Sequence, residues 1–193
     1  TACLYAKDQG TRTLRCRGGA MTFLSTIPVI ETERLTLRAP READFPALLA
    51  FSESPRAAFL GGSQPRQHIW RGLLANIGHW ALRDYGFWSV DNKAGDFIGR
   101  VGVIYHDGWP EPELAWHLFD GFEGHGYAFE AAIAARANHA NRISAQPLIS
   151  MIDAGNARSE ALALRLGAVR ERTETDDRGA YHIYRHPSAG SLK

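Results

Sequence analysis

Residues 113–132, ELAWHLFDGFEGHGYAFEAA, constrain the fold more than any other stretch: an alternating apolar run stops at a small-residue turn and an alanine-rich helical run begins at once. Period two places Glu113, Ala115, His117 and Phe119 on one face of a strand and Leu114, Trp116 and Leu118 on the other. Gly124 and Gly126 free the backbone where the helix exposes its first unpaired N–H groups. Such a turn has two readings. It is a tight strand-to-helix connection, or it lets a pyrophosphate approach the backbone with the positive end of the helix dipole behind it. It fits neither the dinucleotide fingerprint nor the P-loop, so on its own it leaves both open.

The rest of the chain supplies elements for this unit to pack against. Residues 33–39, ERLTLRA, alternate as a half-buried strand does, with Leu35 and Leu37 inward and Pro40 closing it. Residues 44–51 read as a short helix offering Leu48, Leu49 and Phe51 to a core, and Gly61-Gly62 marks a loop. Ser63 is the expected N-cap of a longer helix with Pro65 in its first turn; Ile69, Leu73, Ile77, Trp80 and Ala81 then recur at helical spacing. Trp70 and Trp80 are assigned to packing, His68 and His79 to the surface or its margin. Residues 87–90 and 97–105 form a hairpin about the turn 91–95 and, with the strand of the opening unit, a three-strand meander. After the helix 127–141, the short apolar run 147–152 reads as a buried central strand parallel to the one before that helix. Asn156 is a candidate N-cap and Gly167 a candidate stop for a further helix, and residues 169–173 and 181–185 are a closing strand pair.

The expected architecture is therefore a single α/β (α+β) domain with a mixed, mostly antiparallel twisted sheet of six to seven strands, a central parallel pair and about four flanking helices. The 193 residues are 45% hydrophobic, enough for one sizeable core. A formal charge of +1 leaves no electrostatic footprint for nucleic acid, and no run approaches the ~18 apolar residues of a membrane span. Both cysteines, Cys3 and Cys16, fall in the first twenty residues, so the body has neither disulfide nor thiolate metal site, which fits a reducing cytoplasm. Residues 1–20 show no apolar periodicity and read as a disordered tail or start-site artefact, with the domain at 21–193 and Met21 as a candidate natural start. No histidine has the partners of a metal site, so no catalytic metal is expected.

Three stretches together carry a resemblance. Thr32-Glu33-Arg34-Leu35-Thr36-Leu37-Arg38, Gly124-His125-Gly126-Tyr127-Ala128 with Glu130-Ala131, and Asn156-Ala157-Arg158-Ser159 through Leu166-Gly167 resemble the GNAT-superfamily N-acetyltransferases of the ribosomal-protein-alanine (RimJ/RimL) type, over residues 27–187. The resemblance implies acetyl-CoA as co-substrate, its pyrophosphate on Gly124, His125, Gly126, Tyr127, Ala128 and Phe129. It implies the pantetheine arm in a slot between two splayed parallel strands, beside Trp116, His117, Leu118 and Phe119, with Asn156 bonding that arm or a water. A homodimer would be in keeping with the family. The loop departs from the family pattern at Glu123, a carboxylate that would repel a pyrophosphate, and at His125, an often basic position.

The chemistry of such a transfer has three requirements. An amine attacks a thioester carbonyl, a backbone donor stabilises the oxyanion, and the thiolate leaves with a proton. A backbone N–H near Leu118 is the candidate donor. Ser159 falls on the buried stripe with Leu162, Ala163 and Leu166 and is the candidate proton source, local capping being the alternative. Glu113 is the candidate base and His117 the second choice; each has a structural alternative. Neutralising an α-amine of pKa about 7.7–8 at pH 7 costs about 1 kcal/mol, whereas a lysine costs about 4–5. The expected acceptor is a protein N-terminus or a small-molecule amine, selected by the early helices and the loop 108–112, with Tyr181 able to reach the pocket and Tyr184 assigned to the core. The competing readings are a non-catalytic acyl-CoA binding module and a dimeric scaffold.

Overall fold

The computed structural model describes residues 26–188; the tail expected at residues 1–20 lies outside them, as does Met21. The strands are β1 Ile30–Glu31, β2 Leu35–Arg38, β3 Phe87–Asn92, β4 Phe97–Ile104, β5 Glu113–Leu118, β6 Ile149–Asp153, β7 Val169–Asp176 and β8 Gly179–Arg185. The α-helices are α1 Phe45–Ser52, α2 Arg66–Arg83, α3 Tyr127–Arg142 and α4 Ala157–Arg165, with short 3-10 helices at Glu42–Asp44 and Pro55–Leu60. The eight strands among the described residues form one sheet in the order β1-β2-β3-β4-β5-β6-β8-β7, with β5 and β6 the parallel pair and every other pairing antiparallel. The strand beyond the expected six to seven is β1, only two residues long and so without a readable alternation. No helix among the described residues is long and apolar enough to cross a membrane.

Alternation along the strands separates two layers. Leu35, Leu37, Val90, Val101, Val103 and Leu114 are sealed on the face that α3 covers, where Ala131, Ala132 and Ala135 let the helix axis come close. The neighbouring residues point to the other face, under α1 and α2, where Phe45, Leu48 and Leu73 make a second cluster. Asn76 fixes α2 to β3 as a strand would: its amide donates to the Phe87 carbonyl and accepts from the Phe87 N–H. Trp80 and Trp88 meet edge-on and Trp70 packs against Phe45, so the tryptophans serve packing as expected.

Three local expectations need correction. Ser63 caps nothing: α2 begins at Arg66 with Pro65 in the cap position and no side-chain bond. Ala81 is exposed. His79 is buried, because Nδ1 donates to the Tyr85 carbonyl while Nε2 accepts the Tyr105 N–H, a role that helical spacing does not reveal.

One buried ion cluster locks α1 to the sheet. Arg38 binds Asp44 through both terminal nitrogens, at 2.9 and 2.7 Å, and Asp91 through Nε at 2.6 Å. Asp44 also accepts from the Ser89 hydroxyl and the Arg41 N–H. Arg38→Met keeps the apolar stem but leaves a buried carboxylate without its cation, so a loss of about 3–5 kcal/mol is expected in urea unfolding. An unchanged midpoint would show that the cluster holds nothing.

Candidate active site

The site starts where the parallel pair comes apart. β5 and β6 share a single registered pair, Glu113 with Ile149, and the Ile149 N–H donates to Pro112. One step on, side chains replace the ladder. The Ser150 hydroxyl donates to the Leu114 carbonyl at 2.6 Å, and the Met151 N–H donates to the Glu113 carboxylate at 2.9 Å. Beyond that point the strands splay. Phe119 N–H bonds across to β4 at Ile98, so alternation turns the polar groups of Trp116 and Leu118 toward the open side. Arg56 Nε reaches the Leu118 carbonyl from that side, which agrees.

The open edge forms a wall of a cleft of about 460 Å³. Opposite it, the glycine turn delivers the start of α3. Gly124 and Gly126 have φ of 78° and 79°, a left-handed conformation that explains both glycines, and no side chain caps the helix. The first N–H groups of α3 therefore face the cleft beside Tyr127, Ala128 and Phe129. The turn is braced by Arg34, which donates to the His125 carbonyl and pairs with Glu130; Glu130 also accepts from Thr32. Helix α4 closes the cleft with Asn156, Ser159 and Leu162. Asn156 caps it by accepting the Ser159 N–H, while the Ser159 side chain makes no hydrogen bond among the described residues.

Glu123 stands in this cleft but is not a free anion. It pairs with Arg56 and, at 3.5 Å, with Arg158. With Arg165, stacked 4.2 Å from the Phe129 ring centre, three guanidiniums and one carboxylate line the cleft, which suits an anionic ligand. Arg158, Leu162 and Arg165 recur at i, i+4 and i+7, a stripe visible in the sequence; Arg56, in the short 3-10 helix Pro55–Leu60 after α1, carries no such signal.

A second cleft of about 270 Å³ opens between α1, α2 and the face of β3 to β5. It shares Phe51, Leu60 and His117 with the first. His117 stacks on Phe51 at 4.7 Å, and burial, with the Arg100 and Arg56 charges, holds its imidazole well below its usual pKa. It is neutral at pH 7. Among the described residues, no group of three or more His, Cys, Asp or Glu is placed to hold a metal ion.

Of the residues singled out from the sequence, Trp116, His117, Leu118, Gly124, Gly126, Tyr127, Ala128, Phe129, Asn156 and Ser159 line the first cleft. His125 is exposed and lines neither cleft, its carbonyl accepting from Arg34 and its ring centre lying 5.6 Å from that of Tyr127, and Phe119 packs on Phe97 instead. Glu113 lines neither cleft: its carboxylate is buried at the fork, occupied by the Met151 N–H. Tyr184 is buried against α4 as expected, whereas the Tyr181 hydroxyl is spent on Glu174. None of residues 108–112 lines the second cleft.

Burial pushes the Glu113 carboxyl up to about 8, the Met151 bond opposing this and the Asp153 charge adding to it. Folded Glu113 thus holds its proton where the unfolded chain, near 4.5, has lost it. Between those values the native state binds more protons, so stability falls as pH rises, by up to about 1.4 kcal/mol per unit. Urea titrations from pH 5 to 8 are expected to show this fall in the wild type and a flatter profile in Glu113→Gln. Parallel profiles would contradict the assignment.

Residues 34–169 match the family model of the acetyltransferase (GNAT) domain. An acetyltransferase from Agrobacterium tumefaciens is 34% identical, with 84% of this chain and 96% of that one covered at a TM-score of 0.78. The fold also matches RimL, a ribosomal-protein alpha-N-acetyltransferase in complex with coenzyme A, at 18% identity, 82% and 97% coverage and a TM-score of 0.69. An aminoglycoside acetyltransferase, also in complex with coenzyme A, matches at 17% identity, 81% and 95% coverage and a TM-score of 0.68. The chain belongs to the GNAT acetyltransferase family.

Proposed function

We propose that this chain transfers the acetyl group of acetyl-CoA to a primary amine, an α-amine of a small molecule or of a protein N-terminus, by direct attack within a ternary complex. The observation that carries this reading is the pair of clefts joined at Phe51, Leu60 and His117. One has an open strand edge, a helix start and guanidiniums. The other has an apolar wall.

In this reading the pyrophosphate lies on the N–H groups at the start of α3, with Arg158 and Arg165 neutralising charge. The pantetheine amides pair with the open edge of β5 at Trp116 and Leu118, as an added strand would. The thioester carbonyl then meets the Leu118 N–H, which stabilises the oxyanion as the amine nitrogen bonds to carbon. The tetrahedral intermediate collapses, the C–S bond breaks, the Ser159 hydroxyl hands its proton to the departing thiolate, and the proton released from the intermediate's nitrogen returns through water to the Ser159 oxygen. The amine arrives neutral through the second cleft. No Asp or Glu lines that cleft, His117 Nε2 already accepts from Arg100 Nε at 3.3 Å and both ring nitrogens of His79 are bonded, so the proton goes to water or to the His68 or His106 imidazole in the cleft wall, not to a carboxylate. That favours the α-amine of a peptide N-terminus, at about 1 kcal/mol, over a lysine, at about 4–5. Glu113 is assigned to holding the fork open.

Two measurements separate this from a non-catalytic acyl-CoA binder. Calorimetry is expected to show acetyl-CoA binding of similar strength in wild type and Ser159→Ala, while thiol release with an accepted amine falls about 100-fold or more in the variant. Tight binding with no thiol release from any amine would favour the binder.

A further inference from the structure

The second cleft contains one fixed charge, and that charge lacks a counter-ion. Of the residues lining it, Arg100 is the only Asp, Glu, Lys or Arg. Alternation in β4 puts it there: Val101 and Val103 face α3, so Arg100 points beneath α1 and α2. Its guanidinium lies over the Phe87 ring, 5.1 Å from the centre, and Nε donates to His117. Its terminal nitrogens make no hydrogen bond among the described residues, and neither is sealed from the cleft. Asp44, the one carboxylate whose charge reaches it, is already held by Arg38, Ser89 and the Arg41 N–H. Burial lowers the Arg100 pKa to about 10, which still leaves a cation at neutral pH. An enclosed cation with an open fork of donors is the arrangement that receives a planar anion.

We propose that the acceptor is an amine carrying a carboxylate within a few bonds of its nitrogen, and that Arg100 binds that carboxylate through its terminal N–H groups. The proposal rests on the acetyl-transfer reading above and names its substrate class. His117 touches Arg100 and belongs to both clefts, so a compact molecule held by its carboxylate places its amine at the shared wall. A space of about 270 Å³ takes an amino acid or the first residue of an acidic peptide. A polycation has no carboxylate to meet in this cleft, and its extra ammonium groups would face Arg100.

Thiol release is measured at saturating acetyl-CoA with L-amino acids beside their carboxamides, and with dipeptide amides beginning with Glu beside those beginning with Gln. The carboxylate member of one pair is expected to have a kcat/KM at least about tenfold higher, although the carboxamide of an amino acid has the more easily deprotonated amine. Preference in the first pair identifies a free amino acid, and in the second an acidic N-terminus. Arg100→Gln is expected to abolish the preference through KM with acetyl-CoA affinity unchanged by calorimetry, which shows that the variant folds; Arg100→Lys restores part of it. Equal rates within both pairs in an active wild type would overturn the assignment of Arg100, as would a preference that survives Arg100→Gln. No thiol release with any amine would instead sink the transferase reading, and this proposal with it.

Discussion

The fork between β5 and β6 is the constraint on which the rest of the structure depends. A parallel ladder, once started at Glu113 and Ile149, gains about 0.5–1.5 kcal/mol for each further backbone bond and would close unless its partners were taken. Ser150 and Glu113 take them. The hydroxyl occupies the Leu114 carbonyl and the carboxyl occupies the Met151 N–H, so neither group is orphaned when the strands part. Both wedge residues are buried, and the carboxyl meets the cost of burial by keeping its proton. His186 bonds Ser150 from behind and Arg136 reaches His186, which extends the support into α3.

What the fork exposes acquires chemical meaning from its surroundings. The edge of β5 offers backbone donors and acceptors, α3 begins across the cleft on a left-handed glycine, and α4 brings a cap residue and a hydroxyl to the third side. Charge is divided between the two clefts. Arginines around a neutralised Glu123 make the larger one a place for phosphates, while the smaller one keeps a single unanswered guanidinium against an apolar wall. His117 stands between them as a neutral, stacked imidazole that separates the two spaces without supplying a charge to either.

Much of this was legible in the sequence, for identifiable reasons. Strict alternation marked β2 and β5, and the alanine-rich run after two glycines marked α3. The capping pattern at Asn156 placed Ser159 in the cleft, because a cap and its third residue are local in sequence. Long-range polar pairings were invisible. Glu113 has the look of a base on a strand face, and only the position of Met151, far along the chain, shows its carboxyl to be a wedge. Glu123 looked repulsive until Arg56 folded onto it from a 3-10 helix too short to show a periodicity. Arg100 is an ordinary polar residue in an alternating strand; that no carboxylate pairs with it is a fact of three dimensions. The second cleft was hidden only in part: the early helices were the expected acceptor wall and α1 and α2 do line it, whereas the loop 108–112 does not, and Phe87 and Arg100 reach it from strands.

The central claim, that the open edge of β5 and the start of α3 together receive acetyl-CoA, is tested most directly by amide hydrogen exchange of the free and acetyl-CoA-saturated protein. The account predicts that the Trp116 and Leu118 amides and the first amides of α3 exchange fast in the free protein and become protected together, while amides that pair β4 with β5 do not change. Protection of α3 alone would contradict the slot at the fork, and no protection at either place would contradict the account as a whole.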